Sequence, residues 1–210
     1  MREDYQISIT KDRVATMPLV TFPGDITVVD TPEAAHDAVA ALKDEKFIGF
    51  DTETKPSFKK GHVNKVALMQ LSTLTHCYLF RINILGITDD MASLLEDQAI
   101  TKIGLSIHDD FHVMHRSSRV EPKGFVDLQN LVKNYHIKDI SLQKIYAIIF
   151  GEKISKNQRL TNWEAHTLSA QQQRYAAIDA WTCLRVYYYL TSNQFHPEDS
   201  PYIVYPTDTE

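Results

Sequence analysis

The sequence predicts an α/β domain with a mixed central sheet packed by helices. Three observations point there. Short apolar runs with strand character fall close together in the first half of the chain. Further strands then alternate with apolar stripes at helical spacing. Cap-forming residues stand at the ends of those stripes. Residues 1–25 read as an N-terminal extension, followed by a short apolar run, Ile26 to Val29. Thr31-Pro32-Glu33 gives a helix start: a hydroxyl cap, proline at the first helical position and an acid in the first turn. That helix runs through EAAHDAVAALK and puts Ala35, Ala38, Val39 and Leu42 on one face. FIGFDTE (47–53) follows as a central strand, then VALMQLS (66–72) and HCYLF (76–80).

Met91 to Leu95 lies in a helix, TKIGLSI (101–107) is expected to be a strand, and HDDFHVMHR opens another helix. FVDLQNLVKNY (125–135) and SLQKIYAIIF (141–150) are expected as helices, the second stopped by Gly151. After the polar stretch EKISKNQRLTNWEAHT, Ser169 and Gln172 form a capping-box pattern for a last helix reaching about Ser192. The expected domain is therefore single, 26–192. A loosely held tail, 193–210, carries Pro197, Pro201 and Pro206.

Composition narrows the function. The 210 residues are 43% hydrophobic and 23% charged, the balance of a folded globular chain. No apolar run approaches the ~20 residues that span a bilayer, and the polar, acid-containing MREDYQISIT is no secretory signal. Two cysteines, Cys77 and Cys183, in no CxxC arrangement, exclude a disulfide scaffold and a cysteine zinc ribbon. They fit a reducing, cytoplasmic setting. Lys plus Arg number 22 against 27 Asp plus Glu, a net −5, so any contact with nucleic acid is local rather than a coat along a duplex. Neither a glycine-rich phosphate loop nor a Ser/His/Asp nucleophile motif is present.

Three sets of acids remain. Asp51 and Glu53 end the FIGF strand two residues apart, so they share a face. Two adjacent anions at the end of a buried strand repel unless a cation sits between them, and a divalent metal with oxygen ligands suits that place. The same tripeptide recurs as Asp208-Thr209-Glu210 with no strand before it, a solvated tail, so Asp-x-Glu alone carries little. In HDDFHVMH, helical phase places Ile107, Phe111 and Met114 on one stripe with Asp110 at its edge and Asp109 nearly opposite. Tyr175 and Asp179 stand one turn apart on a face that also carries Cys183, Val186 and Leu190. A metal or plain hydrogen bonds would offset the cost of burying that aspartate.

Asp51-x-Glu53, then Asp110 in KIGLSIHDD, then Tyr175-x-x-x-Asp179, resemble in order and spacing the three exonuclease motifs of the DEDD superfamily, and the tyrosine those of its DEDDy branch. DTETKPSF, VALMQLS, FVDL and NWEAHTLSAQQQRYAAIDA also resemble that family, most closely the Werner-helicase-type exonuclease domains and more distantly RNase D. The resemblance covers roughly residues 25 to 192. It implies an RNase H-like mixed sheet flanked by helices, and metal-dependent 3′-5′ hydrolysis of phosphodiester bonds that releases nucleoside 5′-monophosphates. It further implies two divalent ions, Mg2+ or Mn2+, with Asp51 bridging, Glu53 and Asp179 completing the tighter site, and Asp110 acting directly or through water. Tyr175 would orient the attacking water, being a poor base at neutral pH with an ordinary pKa near ~10. The implied partner is nucleic acid with a free 3′ end, DNA or RNA, gripped in part near Thr52.

On this reading, Lys55, Lys59, Lys60 and Lys65, in a stretch without acids, and Lys153, Lys156 and Arg159 are candidates to carry the phosphodiester backbone. Gln70 is a further substrate candidate, and Phe58 and Trp163 are candidate stacking groups, though a core role is the commoner one for tryptophan. Two rival readings stand beside it. His108 and His112 have the i, i+4 spacing of a zinc hydrolase helix, with His115 on the same flank. Aspartate replaces the usual glutamate base there, and no third ligand follows in a known pattern. The other rival is a nucleic-acid-binding module that keeps the fold with weak catalysis.

Overall fold

The computed structural model describes residues 4–57, 64–114 and 119–205. The elements are β1 (Gln6–Ile7), α1 (Lys11–Ala15), β2 (Asp25–Val29), α2 (Pro32–Lys43), β3 (Phe47–Thr54), β4 (Val66–Ser72), β5 (His76–Phe80), α3 (Ile82–Leu85), α4 (Asp89–Glu96), β6 (Thr101–Gly104), α5 (Ile107–Met114), β7 (Phe125–Asp127), α6 (Leu128–Leu131), α7 (Leu142–Phe150), α8 (Ala170–Thr191) and β8 (Ile203–Val204). Six strands form one mixed sheet in the order β2-β5-β4-β3-β6-β7. The β3-β4 and β4-β5 pairs are antiparallel, and the other three are parallel. This is the α/β architecture with a mixed, helix-flanked sheet that the sequence predicts.

Alternation along β3 sorts the two layers. Ile48 and Phe50 point to the face covered by α2, α4 and α5, with Val39, Leu42, Leu94 and Ile107. Gly49 points to the other face, where α8 crosses. An added Cβ there would stand 2.0 Å from the Ala180 carbonyl oxygen. Only a residue without a side chain lets the helix backbone come this close. Tyr146, Trp181, Leu184 and Val186 fill the layer beneath α7 and α8. The capping box at Ser169 forms as expected, with Ser169 Oγ accepting from Gln172 N and Gln172 Oε1 from Ser169 N.

Two expected elements differ. The strand expected over 101–107 ends at Gly104, and Ile107 already belongs to α5. Asp127 causes this turn: its carboxylate accepts from Ser106 N and Ile107 N, each at 3.2 Å, while Ser106 adopts φ 60°. The helix expected over 125–135 starts late. Phe125 to Asp127 pair in parallel with Lys102 to Gly104 as the sheet's last strand, then Asp127 caps α6 and a 3₁₀ turn, Val132–Tyr135, follows.

The residues ahead of β2 are packed. Ile7, Ile9, Val14, Met17 and Val20 join the core beneath α7. β1 pairs antiparallel with β8. No helix among the described residues is long and apolar enough to cross a membrane.

Candidate active site

β3 outruns its neighbour. Its pairing with β6 ends at Gly49, whereas its pairing with β4 continues to Thr54, past a register shift between Glu53 and Thr54. The last residues of β3 therefore border a cleft on the β6 side. Asp51 and Glu53 lie on this overhang and face α8. Asp179 comes down from α8, one residue before the Ala180–Gly49 contact that fixes the helix against the strand. One ligand oxygen from each of Asp51, Glu53 and Asp179 lies within 4.8 Å of the others.

The three carboxylates are poorly solvated; Asp179 is only 9% exposed. Burial pushes Asp51 well above the usual carboxylate range, and the charges of Asp179, Glu53 and Asp110 add to the shift. Burial, with Asp179 and Asp110, raises Glu53 to about 9, although Arg159 works against it. Burial raises Asp179 to about 7, opposed by the Tyr175 hydroxyl, which donates to it, and by Lys156. Burial beside these acids holds the Tyr175 phenol far above its ordinary value, so it remains a donor. No Lys or Arg among the described residues forms an ion pair with any of the three. An all-oxygen set of carboxyl groups that repel one another when ionised is the donor chemistry that hard divalent cations take.

Asp110 reaches the site from the opposite face of β3. Thr52 points away from Asp51 and Glu53, and its Oγ1 donates to Asp110 Oδ1 at 2.5 Å. Asp110 lies outside the three-oxygen set but is close enough to raise Asp51 and Glu53. Asp127, which holds the start of α5, and the Thr52 hydroxyl are supports that motif reading missed. Strand alternation was the available signal for Thr52.

A cavity of ≈ 210 Å³ contains Asp51, Tyr175 and Asp179, with Lys156 at its wall. Arg159 is exposed near Glu53. Lys55 pairs with Glu164 at 3.2 Å, which ties the end of β3 to the loop before α8. Gln70 is wholly buried on β4, paired across from Asp51 on the same face of the sheet; it does not line the cavity, and its amide makes no hydrogen bond among the described residues. Trp163 is also wholly buried, its ring 6.0 Å from that of Tyr175, which is a core position. Lys153 donates to the Ala15 carbonyl at 2.5 Å and braces the N-terminal segment. His108 and His112 are exposed on α5 and join no three-residue ligating group among the described residues. Phe58, Lys59, Lys60, His115 and the side chain of Asp109 lie outside the described residues.

Comparison with known proteins agrees with this arrangement. The chain is 31% identical over 193 residues to the mouse (Mus musculus) bifunctional 3′-5′ exonuclease/ATP-dependent helicase WRN, covering 87% of this chain but 14% of that protein. It is 30% identical over 196 residues to an Arabidopsis thaliana 3′-5′ exonuclease, covering 85% of this chain and 68% of that one. The fold is similar to the Aedes aegypti Nibbler EXO domain, with TM-score 0.72 at 23% identity over 86% of this chain and 96% of that domain. It is also similar to Escherichia coli RNase D, with TM-score 0.70 at 24% identity over 80% of this chain and 44% of that one. A family model described as 3′-5′ exonuclease matches residues 26–193, which takes in every element from β2 to α8 and all the converging acids. The chain therefore belongs to the 3′-5′ exonuclease family.

Proposed function

We propose that this chain removes nucleotides one at a time from the 3′ end of DNA or RNA, releasing nucleoside 5′-monophosphates, with Asp51, Glu53, Asp110, Tyr175 and Asp179 as its DEDDy machinery. The observation that carries this reading is the convergence of the Asp51, Glu53 and Asp179 oxygens within 4.8 Å at the floor of a cleft. The resident cofactor proposed is a pair of Mg2+ or Mn2+ ions held by Asp51, Glu53 and Asp179, with Asp110 beside them. Such ions, when bound, polarise the phosphoryl group, lower the pKa of a water and neutralise the leaving oxygen.

The chain's own residues supply the rest. Asp179 keeps the Tyr175 hydroxyl oriented, and the protonated phenol orients the attacking water by a hydrogen bond. Lys156 and Arg159 lie near Asp179 and Glu53 and hold the phosphate at the cleft. Thr52, through its backbone, and Lys55 meet the terminal nucleotide. Gln70 packs beside Asp51, shielded from solvent. A cytoplasmic location goes with the two free cysteines, Cys77 and Cys183, both buried.

Incubation of 5′-labelled DNA and RNA oligonucleotides with Mg2+ or Mn2+ tests the reading. A ladder shortening from the 3′ end is expected, absent in EDTA. Asp51→Asn and Asp179→Ala should each lower the rate by at least ~10³-fold. Tyr175→Phe should lower kcat about 10- to 100-fold with metal affinity retained. A ladder that persists in EDTA or in Asp51→Asn defeats the mechanism.

A further inference from the structure

We propose that the segment ahead of the family domain is part of the substrate path: Lys11, which shares a cavity wall with Lys156, takes a phosphate of the strand leading to the scissile bond. The inference rests on the exonuclease reading above and extends it to residues that the family match, which begins at 26, leaves out.

The segment is held firmly beside the acids. Ile7 N donates to His136 O at 2.8 Å and Lys138 N to Ile7 O at 2.9 Å. Ser8 Oγ and Ile9 N both donate to Asp139 Oδ2 at 2.9 Å. Farther on, Lys153 N donates to Pro18 O at 2.8 Å and Val20 N to Lys153 O at 3.0 Å. With Ile7, Ile9 and Val14 in the core, these bonds make α1 a fixed wall rather than a loose arm.

That wall borders the acid cavity on two sides. Lys11, Val14 and Ala15 line a cavity of ≈ 330 Å³, which shares Ser141, Gln143 and Lys156 with the cavity that holds Asp51 and Asp179. Leu19, Val20 and Thr21 line a second, mainly apolar groove of ≈ 380 Å³, which shares Ile154, Ser155 and Tyr175 with the same acid cavity. A base-sized apolar groove and a cationic cavity thus flank the carboxylates, and N-terminal residues supply part of each.

Charge identifies what the cationic side carries. Lys144 also lines it, but Asp139 pairs with Lys144 at 2.6 Å and offsets it. Lys11 and Lys156 form no ion pair among the described residues. On the 3′ side of the scissile phosphate, the terminal nucleotide carries no further phosphate. A second cationic position beyond the acids can therefore serve only the upstream strand, which brings one phosphate per nucleotide.

The test compares substrates that differ in upstream phosphates: 5′-labelled 12-mers of DNA and RNA, and the corresponding dinucleotides, whose one phosphate is the scissile one. Lys11→Gln and Lys11→Glu are measured beside wild type and Arg13→Glu, a charge reversal on the same helix that does not line the cavity. For the 12-mers, KM should rise about threefold in Lys11→Gln and about tenfold in Lys11→Glu, with kcat within about twofold. The effect should fade towards the dinucleotide. The slope of log KM against log salt should fall by ~0.7 in Lys11→Gln, the amount for one lost phosphate contact on a single strand. Arg13→Glu should match wild type. An equal KM rise on dinucleotide and 12-mer, or none on the 12-mer, removes the track and leaves the exonuclease reading standing, because wild type still trims. Wild type that trims neither substrate defeats both.

Discussion

Thr52 stands between Asp51 and Glu53 in the chain but on the far side of the strand, and its contact with Asp110 ties the first acid pair to the second motif. The 2.5 Å bond from Thr52 Oγ1 positions Asp110 over a strand end that β6 no longer supports. Thr52→Val keeps the β-branched shape that suits a strand and removes the donor. The expected result is a fall in kcat of about tenfold, equivalent to ~1.4 kcal/mol of the barrier, with Tm within ~2 °C of wild type. Thr52→Ser, which retains the hydroxyl, should recover most of the rate. Steady-state kinetics on a labelled oligonucleotide decide it, and a Val variant at full rate rules out the tether. The motif acids were legible because each is a side chain on a regular element with a readable phase. Thr52 as tether and Asp127 as the cap of α5 were not, because each acts on residues 20 to 58 positions away.

At the scale of elements, the pairing of β3 with α8 sets the site. The Gly49–Ala180 approach brings the α8 backbone down until Asp179 meets Asp51 and Glu53. Gly49→Val would drive a side chain into backbone, which cannot rotate away. We expect a loss of stability of about 3 kcal/mol or more, read as a lower urea midpoint. Gly49→Ala should show a smaller loss, and activity should fall in both because Asp179 is displaced. A Val variant with wild-type midpoint and rate would falsify the close-packing account. Local signals gave the helices: the Thr31-Pro32 start, the Ser169–Gln172 box and the Gly151 stop all lie where the chain bends. Non-local pairing decided the two elements that differ. FVD becomes a strand because β6 offers it an open parallel edge, and TKIGLSI stops at Gly104 because Asp127 captures the next amides. The N-terminal segment carried no readable motif. Its buried Ile7, Ile9, Val14, Met17 and Val20 are spread over three short pieces, too few in each to show a period.

For the molecule as a whole, the net charge of −5 matters less than where the acids sit. Asp51, Glu53 and Asp179 converge in a poorly solvated cleft with no paired cation among the described residues, so the metal-free fold carries a strain that the unfolded chain does not. Its sign follows from linkage. In the folded chain these groups hold their protons to about 7 for Asp179 and about 9 for Glu53, with Asp51 also raised; unfolded, they release them near ~4. The penalty is absent below ~pH 4, grows as pH rises, and is complete above the folded values. In EDTA, therefore, the stability of wild type relative to Asp51→Asn should decline between pH 5 and pH 9. At pH 8 the Asn variant should melt higher by several degrees, since ~1 kcal/mol corresponds to ~2–4 °C for a chain of this size. Mg2+ or Mn2+ should raise the wild-type Tm and flatten its pH dependence, while the variant should respond weakly. Thermal melts of both proteins at pH 5, 7 and 9, with EDTA and with each metal, test this without reference to turnover. If wild type melts above Asp51→Asn at every pH in EDTA, the cluster stabilises the fold on its own and requires no cation.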